Sequence, residues 1–243
     1  MIKTEFKYII IGAGVSGLTS AYQLLERGET DFLILEGRDR IGGRIYTEND
    51  IDFGATWFQG FHENVLQLLE KLKIEKFNQY SNGNNVLVYN VMAPAHYFET
   101  DQTQPAAFRI QGGTGHLITA LANSITDKIV LNTSVSEISE VSNAVKIVTN
   151  DQEFIANKVF VTLPPKLAVQ LKYAPALPEE LESVMHKTHT WMSNAIKVGI
   201  HFKSPFWRTQ NLSGTIIGQI GPVTEVYDHT NAKETVYSLM GFV

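Results

Sequence analysis

Three glycines in the spacing Gly12-x-Gly14-x-x-Gly17 follow directly on the apolar run Tyr8 to Ile11. A turn of this kind can take a pyrophosphate. The first glycine permits the tight turn, the second lets phosphate oxygens approach the main chain, and the third lets the next helix pack close to the strand. The helix N-terminus adds unpaired N–H donors and the positive end of its dipole. Glu36 lies nineteen residues after Gly17, at the end of the run FLILE. There a carboxylate can accept from the hydroxyls of an adenosine ribose. Ser16 reads as a phosphate contact and not as a nucleophile, because GVSGL is not G-x-S-x-G with a triad following in order.

Lys197, in NAIKVGIHFKSPFWR, is the second candidate for chemistry. Strand alternation sets Lys197, Gly199, His201 and Lys203 on one face and Ile196, Val198, Ile200 and Phe202 on the other. By residue type alone the lysine face reads as solvated. His186 and His189 stand three apart on an expected helix without an obvious third ligand, so no metal site is expected.

The elements that must position these groups follow from periodicity. Residues 6 to 11 read as a buried strand. VSGLTSAYQLLERG carries apolar residues at helical spacing and ends on Gly28, and FLILE is a second strand. This is a βαβ unit with parallel strands. An amphipathic helix is expected over 61–75. Residues 76–106 read as loops with one short strand near Val86 to Tyr89, and a helix as starting near His116. A β-meander from KIVLN ends at Pro164-Pro165, a helix covers 178–189, and a strand follows from 194.

The bulk composition narrows the possibilities. The chain has 243 residues, 44% of them hydrophobic and 19% charged, with a net charge of -5. That balance offers no basic field for nucleic acid or anionic lipid. No cysteine is present, which excludes disulfides, thiolate catalysis, Cys-ligated metals and a flavin tethered to this chain through cysteine. No segment approaches the roughly 20 apolar residues of a membrane span. The expectation is a soluble protein of a reducing compartment, cytoplasmic, with neither a nucleic-acid nor a membrane partner.

EGRDRIGGRIYT, residues 36 to 47, separates FAD from NAD. It resembles the second motif of the flavin-containing amine oxidoreductases, the group of monoamine oxidases, polyamine oxidases and L-amino-acid oxidases. By that resemblance Glu36, Gly37, Arg38, Arg40, Gly42, Gly43 and Arg44 serve the ribose and pyrophosphate of non-covalent FAD. DFGATWFQG is similar to the family segment passing the isoalloxazine ring, with Gly54, Ala55, Thr56 and Trp57 beside it. Trp57 and Phe58 read equally well as core. FRIQGGTGHL resembles the glycine turn that returns the chain to the flavin domain, and LNTSVSEI the segment at which Val135 meets adenine through its main chain. VFVTLPP resembles the strand closing that domain, and Lys197 matches the family's active-site lysine, which acts through a water beside flavin N5.

The fold this resemblance implies is α/β. It combines a glutathione-reductase-like FAD-binding domain (βαβ with a three-layer sheet) and a partial mixed-sheet α+β substrate domain. Residues 1–75 and 107–166 would form the first, 76–106 and 167–243 the second. The implied reaction is hydride transfer from the carbon beside an amine nitrogen to flavin N5, with oxygen as acceptor. Two departures stand out. Residues 76–106 are far shorter than the family's insertion, and the sequence ends at YSLMGFV, where relatives continue. Two expectations follow: an FAD-dependent amine oxidase, or a non-catalytic FAD- or nucleotide-binding half. In either case a homo-oligomer or a complementary chain could supply what is missing. A nicotinamide-dependent dehydrogenase leaves Gly42-Gly43-Arg44 without a task.

Overall fold

A computed structural model describes residues 3–101 and 103–243, apart from the side chains of Trp191 and Ser193. The chain forms two compact units. One runs to Arg44 and resumes over Ile118–Thr190; the other comprises Ile45–Leu117 and Trp191–Val243. The functional division expected at 75, 106 and 166 is a different partition and stands as a proposal.

The first unit is built on a seven-stranded sheet. Its order is Lys172–Ala174, Val135–Val141, Ala144–Thr149, Glu153–Val161, Glu5–Ile11, Phe32–Leu35, Ile129–Val130. Glu5–Ile11 lies inside the sheet, parallel to both neighbours, with Ile11 opposite Leu35 on one side and Val161 on the other. Strands covered on both faces read as unbroken apolar runs, and all four residues of Phe32–Leu35 are buried. The crossover between the first two strands is the helix Val15–Glu26. Gly28 ends it at φ +78°, a left-handed conformation that suits glycine. Ile9, Ile11, Leu33, Leu35, Ile147, Phe154 and Ala156 form the core beneath the site. Each large side chain buried there contributes about 1.5–3 kcal/mol.

KIVLN does not open the meander. Ile129–Val130 instead pairs parallel to Phe32–Leu35 at the sheet edge. So short an apolar run has no period that could reveal its partner. The antiparallel meander is three strands long, Val135–Val141, Ala144–Thr149 and Glu153–Val161.

The second unit holds a six-stranded mixed sheet. Its order is Lys197–Phe202, Tyr237–Phe242, Glu225–Asp228, Leu212–Gly218, Asn84–Val88, His96–Glu99. Leu212–Gly218 runs parallel to Asn84–Val88 and antiparallel to Glu225–Asp228. Two ribbons join it, Thr47–Glu48 with Ile51–Asp52 and Lys76–Asn78 with Phe108–Ile110. Residues 76–106 thus contribute three strands where one was expected. Lys76–Asn78 and the fully exposed His96–Glu99 carry too few buried residues to show alternation. The helix expected near His116 starts at Thr114.

Candidate dinucleotide cradle and buried lysine

In the first unit, the strand Glu5–Ile11 delivers the chain into the glycine turn, and Gly12 N–H donates to Leu35 O at 2.8 Å. The helix Val15–Glu26 begins directly after Gly14. A Cβ on Gly17 would overlap the Gly12 carbonyl oxygen, so only glycine lets the helix start this close. A Cβ on Gly14 would meet nothing nearer than Gly43 Cα at 3.9 Å. The space in front of Gly14 is therefore open to a ligand.

The second glycine motif lies against the first. Gly14 and Gly42 form a parallel bridge, and Gly42 N–H donates to Ala13 O at 2.8 Å. A Cβ on Gly43, at φ +57°, would stand 3.2 Å from Gly14 Cα. Arg38 and Arg40 both donate to Gly43 O, at 3.3 and 3.0 Å, and so brace this loop. Arg44 is exposed and makes no hydrogen bond or ion pair among the described residues. Ser16 is exposed in the first helical turn.

Glu36 is 8% exposed. Its Oε2 accepts from Ala13 N–H at 2.7 Å and its Oε1 from Arg38 N–H at 3.0 Å. Each oxygen keeps a lone pair for a further donor. Its main chain is held as well, since Glu36 N–H donates to Val130 O and Glu36 O accepts from Thr133 N–H. This places Ser134 beside Gly37, where a Cβ would come within 3.0 Å of Ser134 Oγ. Val135 opens the next strand, at a register shift opposite Thr149. The structure therefore brings Gly12, Gly14, Gly17, Glu36, Gly37, Arg38, Gly43 and the approach to Val135 together in one unit. Open backbone at Gly14, unpaired helix N–H groups and an acceptor carboxylate fit a dinucleotide diphosphate with its ribose.

In the second unit, Lys197 Nζ donates to Asp52 O at 3.1 Å, Gly54 O at 2.6 Å and Thr56 Oγ1 at 2.7 Å. Its three N–H groups have three acceptors. Nζ also lies 5.4 Å from the Trp57 ring and 5.1 Å from the Phe242 ring. Burial pushes the Lys197 pKa down to about 8, with the Asp52 carboxylate working against the shift and the Arg109 guanidinium with it. The solvated reading is overturned for Lys197 itself, while His201 and Lys203 on the same face are exposed. A Cβ on Gly199 would overlap Ile51, while Ile196 and Ile200 on the opposite face are 61% and 54% exposed. Residue type failed at Lys197 because Ile51–Thr56, from distant sequence, covers it and Gly199.

Trp57 donates through Nε1 to Gln79 Oε1 at 2.7 Å and meets Tyr227 edge-on at 5.0 Å between ring centroids. Phe58 packs on Phe108 and is core. Gly54 is partly exposed, Ala55 exposed and Thr56 buried.

Three buried groups close to Lys197 had no sequence signal. Asp52 is fully buried; its Oδ1 accepts from Thr47 Oγ1 at 2.5 Å, Thr114 N–H at 2.9 Å and Thr114 Oγ1 at 3.0 Å. His229, also fully buried, accepts from Asp52 N–H through Nε2 at 3.0 Å. Its proton therefore sits on Nδ1. Burial, then the charges of Arg109 and Lys197, push the His229 pKa down to about 2, and the ring stays neutral. Arg109 is 3% exposed and donates to Thr230 O at 2.8 Å; burial pulls its pKa down to about 10. Asp and Arg inside short strands look like ordinary surface residues until the fold encloses them.

The model of the family "Flavin containing amine oxidoreductase" matches residues 15–92 and 89–242. A probable flavin-containing monoamine oxidase A of Dictyostelium discoideum is 22% identical over 345 positions, covering 100% of this chain and 75% of that protein. Putrescine oxidase of Kocuria rosea is 24% identical over 98% of this chain and 73% of its own length. Mouse amine oxidase [flavin-containing] B is 27% identical, with 97% and 65% covered. Among solved structures, a putrescine oxidase double mutant superposes with a TM-score of 0.84 at 21% identity, covering 99% of this chain and 76% of its own. Cyclohexylamine oxidase from Brevibacterium oxydans gives 0.81 at 19% identity. An alignment of 345 positions to a chain of 243 residues leaves at least 102 positions of the first relative unmatched. The two family matches overlap at 89–92, just after the strand Asn84–Val88.

Proposed function

The chain belongs to the flavin-containing amine oxidoreductase family; it is an FAD-dependent oxidoreductase of the amine oxidase type, and we propose that its substrate is a small amine and its electron acceptor oxygen. The observation that carries the cofactor reading is the packing of Gly42-Gly43 against Gly12-Ala13-Gly14, with Glu36 bonded to the same turn. When bound, FAD accepts the electrons of amine oxidation. The chain's own residues do the rest. The N–H groups of the first turn of the Val15–Glu26 helix and the exposed Arg44 would take the pyrophosphate charge. Glu36 accepts from the ribose hydroxyls, and Val135 offers its main chain to the adenine. Gly54 and Ala55 leave room for a flat ring, and Trp57 lines it. Lys197 would hold or release a proton at Nζ in the redox step, an assignment supported by its match to the family lysine and its half-buried seat. With no cysteine in the chain, no cysteinyl tether forms here.

The test is the visible spectrum of the purified chain, loaded with FAD and freed of excess, then mixed anaerobically with a panel of amines. Retained flavin that bleaches with an amine is the expected result. Retained flavin that no amine bleaches would support the second reading, a flavin-binding half without turnover. Loss of all flavin from a folded chain would overturn the second reading and mean that the first needs a complementary segment for the cofactor. No helix among the described residues is long and apolar enough to cross a membrane. A cytoplasmic location belongs to the same proposal, and cell fractionation tests it.

A further inference from the structure

Lys197 occupies a site that suits both of its protonation states. As an ammonium it has three donors and finds two carbonyls, Asp52 O and Gly54 O, and one hydroxyl, Thr56 Oγ1. As a neutral amine it has two donors and one lone pair. The carbonyls can only accept, but a threonine hydroxyl can donate or accept. Thr56 Oγ1 lies 3.4 Å from Asp52 O and 3.3 Å from Gly54 O, so its proton can rest on either carbonyl or turn to the amine. Neither state leaves a buried polar atom of this trio unsatisfied.

The charges around the trio are buried and opposed. Asp52 supplies the carbonyl that seats Nζ, and its side chain carries a fully buried carboxylate whose Oδ2 has no hydrogen-bond partner among the described residues. Arg109, 3% exposed, has an Nε without a partner among the same residues. A buried charge interacts strongly with its neighbours because water does not screen it. His229 stays neutral and accepts the Asp52 N–H, and Asp228, 1% exposed, and Asp50 act on Arg109 as Asp52 does. Glu225 stands on the same rung of the sheet as Lys197, across Phe242, but it is exposed and accepts from Tyr227 Oη.

We propose that Asp52 is a positioning residue that sets the charge of Lys197, its carbonyl seating the amine and its buried carboxylate countering Arg109, while the Thr56 hydroxyl lets the proton come and go. The direction of each neighbour's influence on the lysine agrees, Asp52 favouring the ammonium and Arg109 opposing it. The proposal rests on the reading of Lys197 as the residue beside the redox ring only for its use in turnover; the charge relationship stands without it.

The experiment follows the Lys197 side-chain carbons by NMR in the 243-residue chain with 13C-labelled lysine, the signal being assigned by its loss in Lys197→Met. No flavin and no substrate are needed. Asp52→Asn keeps the shape and removes the charge. The expected result is a Lys197 midpoint lower by about one pH unit or more, a tenfold weaker proton affinity. Thr56→Val should also lower the midpoint, by removing one acceptor of the ammonium, and Thr56→Ser should restore it. An unmoved midpoint in Asp52→Asn overturns the proposal. If that variant does not fold, an unmoved midpoint in Thr56→Val overturns it. A merely structural Asp52 would cost melting temperature and leave the titration in place. Failure of flavin binding or turnover with a shifted midpoint would sink the functional reading and leave this inference intact.

Discussion

The main-chain N–H of Ala13 donates to Oε2 of Glu36 at 2.7 Å, so the carboxylate after the second strand braces the glycine turn after the first. Glu36→Ala removes this brace together with the acceptor proposed for the ribose. A hydrogen bond to a charged group is worth about 1.5–3 kcal/mol. Isothermal titration with FAD should therefore show roughly ten- to hundredfold weaker binding. Glu36→Gln, which keeps one acceptor oxygen, should fall between the two.

Gly17 and Gly14 separate folding from binding. Gly17→Ala forces a methyl group into the Gly12 carbonyl, so the melting temperature should drop, with a cost of about 1–3 kcal/mol. Gly14 has φ -76° and open space around its Cα. Gly14→Ala should keep the melting temperature of the parent and lose flavin affinity, because the methyl occupies the phosphate's approach. Equal losses of stability in both variants would remove Gly14 from the proposed cradle.

Arg44 is exposed and has no partner among the described residues, so Arg44→Ala should leave thermal stability unchanged. FAD affinity should fall by roughly ten- to hundredfold for a forked, charge-assisted contact to phosphate. The gap between variant and parent should narrow at high salt, which screens an exposed charge. A salt-independent affinity equal to the parent's would place Arg44 away from the pyrophosphate.

Lys197 predicts a pH-dependent stability. Its pKa falls from 10.5 to about 8 on folding. Between those values the unfolded chain keeps a proton that the folded chain has released, so raising the pH through this window favours the folded state. Below pH 8 the folded chain carries the half-buried ammonium and its penalty. Thermal melts of the parent and of Lys197→Met across pH 7 to 10.5 should show a rise in the parent that the methionine variant lacks. Parallel curves would return Lys197 to an ordinary exposed lysine.

The first βαβ unit was legible because its information is local. Gly12, Gly14, Gly17 and Glu36 sit within one strand–turn–helix–strand, whose apolar runs, helical spacing and terminal Gly28 all specify the same geometry. The closing of Gly42-Gly43 onto that turn extends the same short stretch of chain. Lys197 could be singled out by resemblance, but its surroundings could not be read. Asp52 and Thr56 stand 145 and 141 residues from it in the chain, and His229 meets Asp52 across 177. Which end of which face of Lys197–Phe202 is covered follows from what packs on it, and alternation supplies two faces without choosing between them. The sequence by itself thus determined the glycine turn and the carboxylate that follows it, and offered the lysine only through a resemblance. Only the tertiary structure decided that Ile51–Thr56 covers that lysine and that Asp52, Arg109 and His229 are buried around it, because burial and charge proximity are properties of segments brought together by folding.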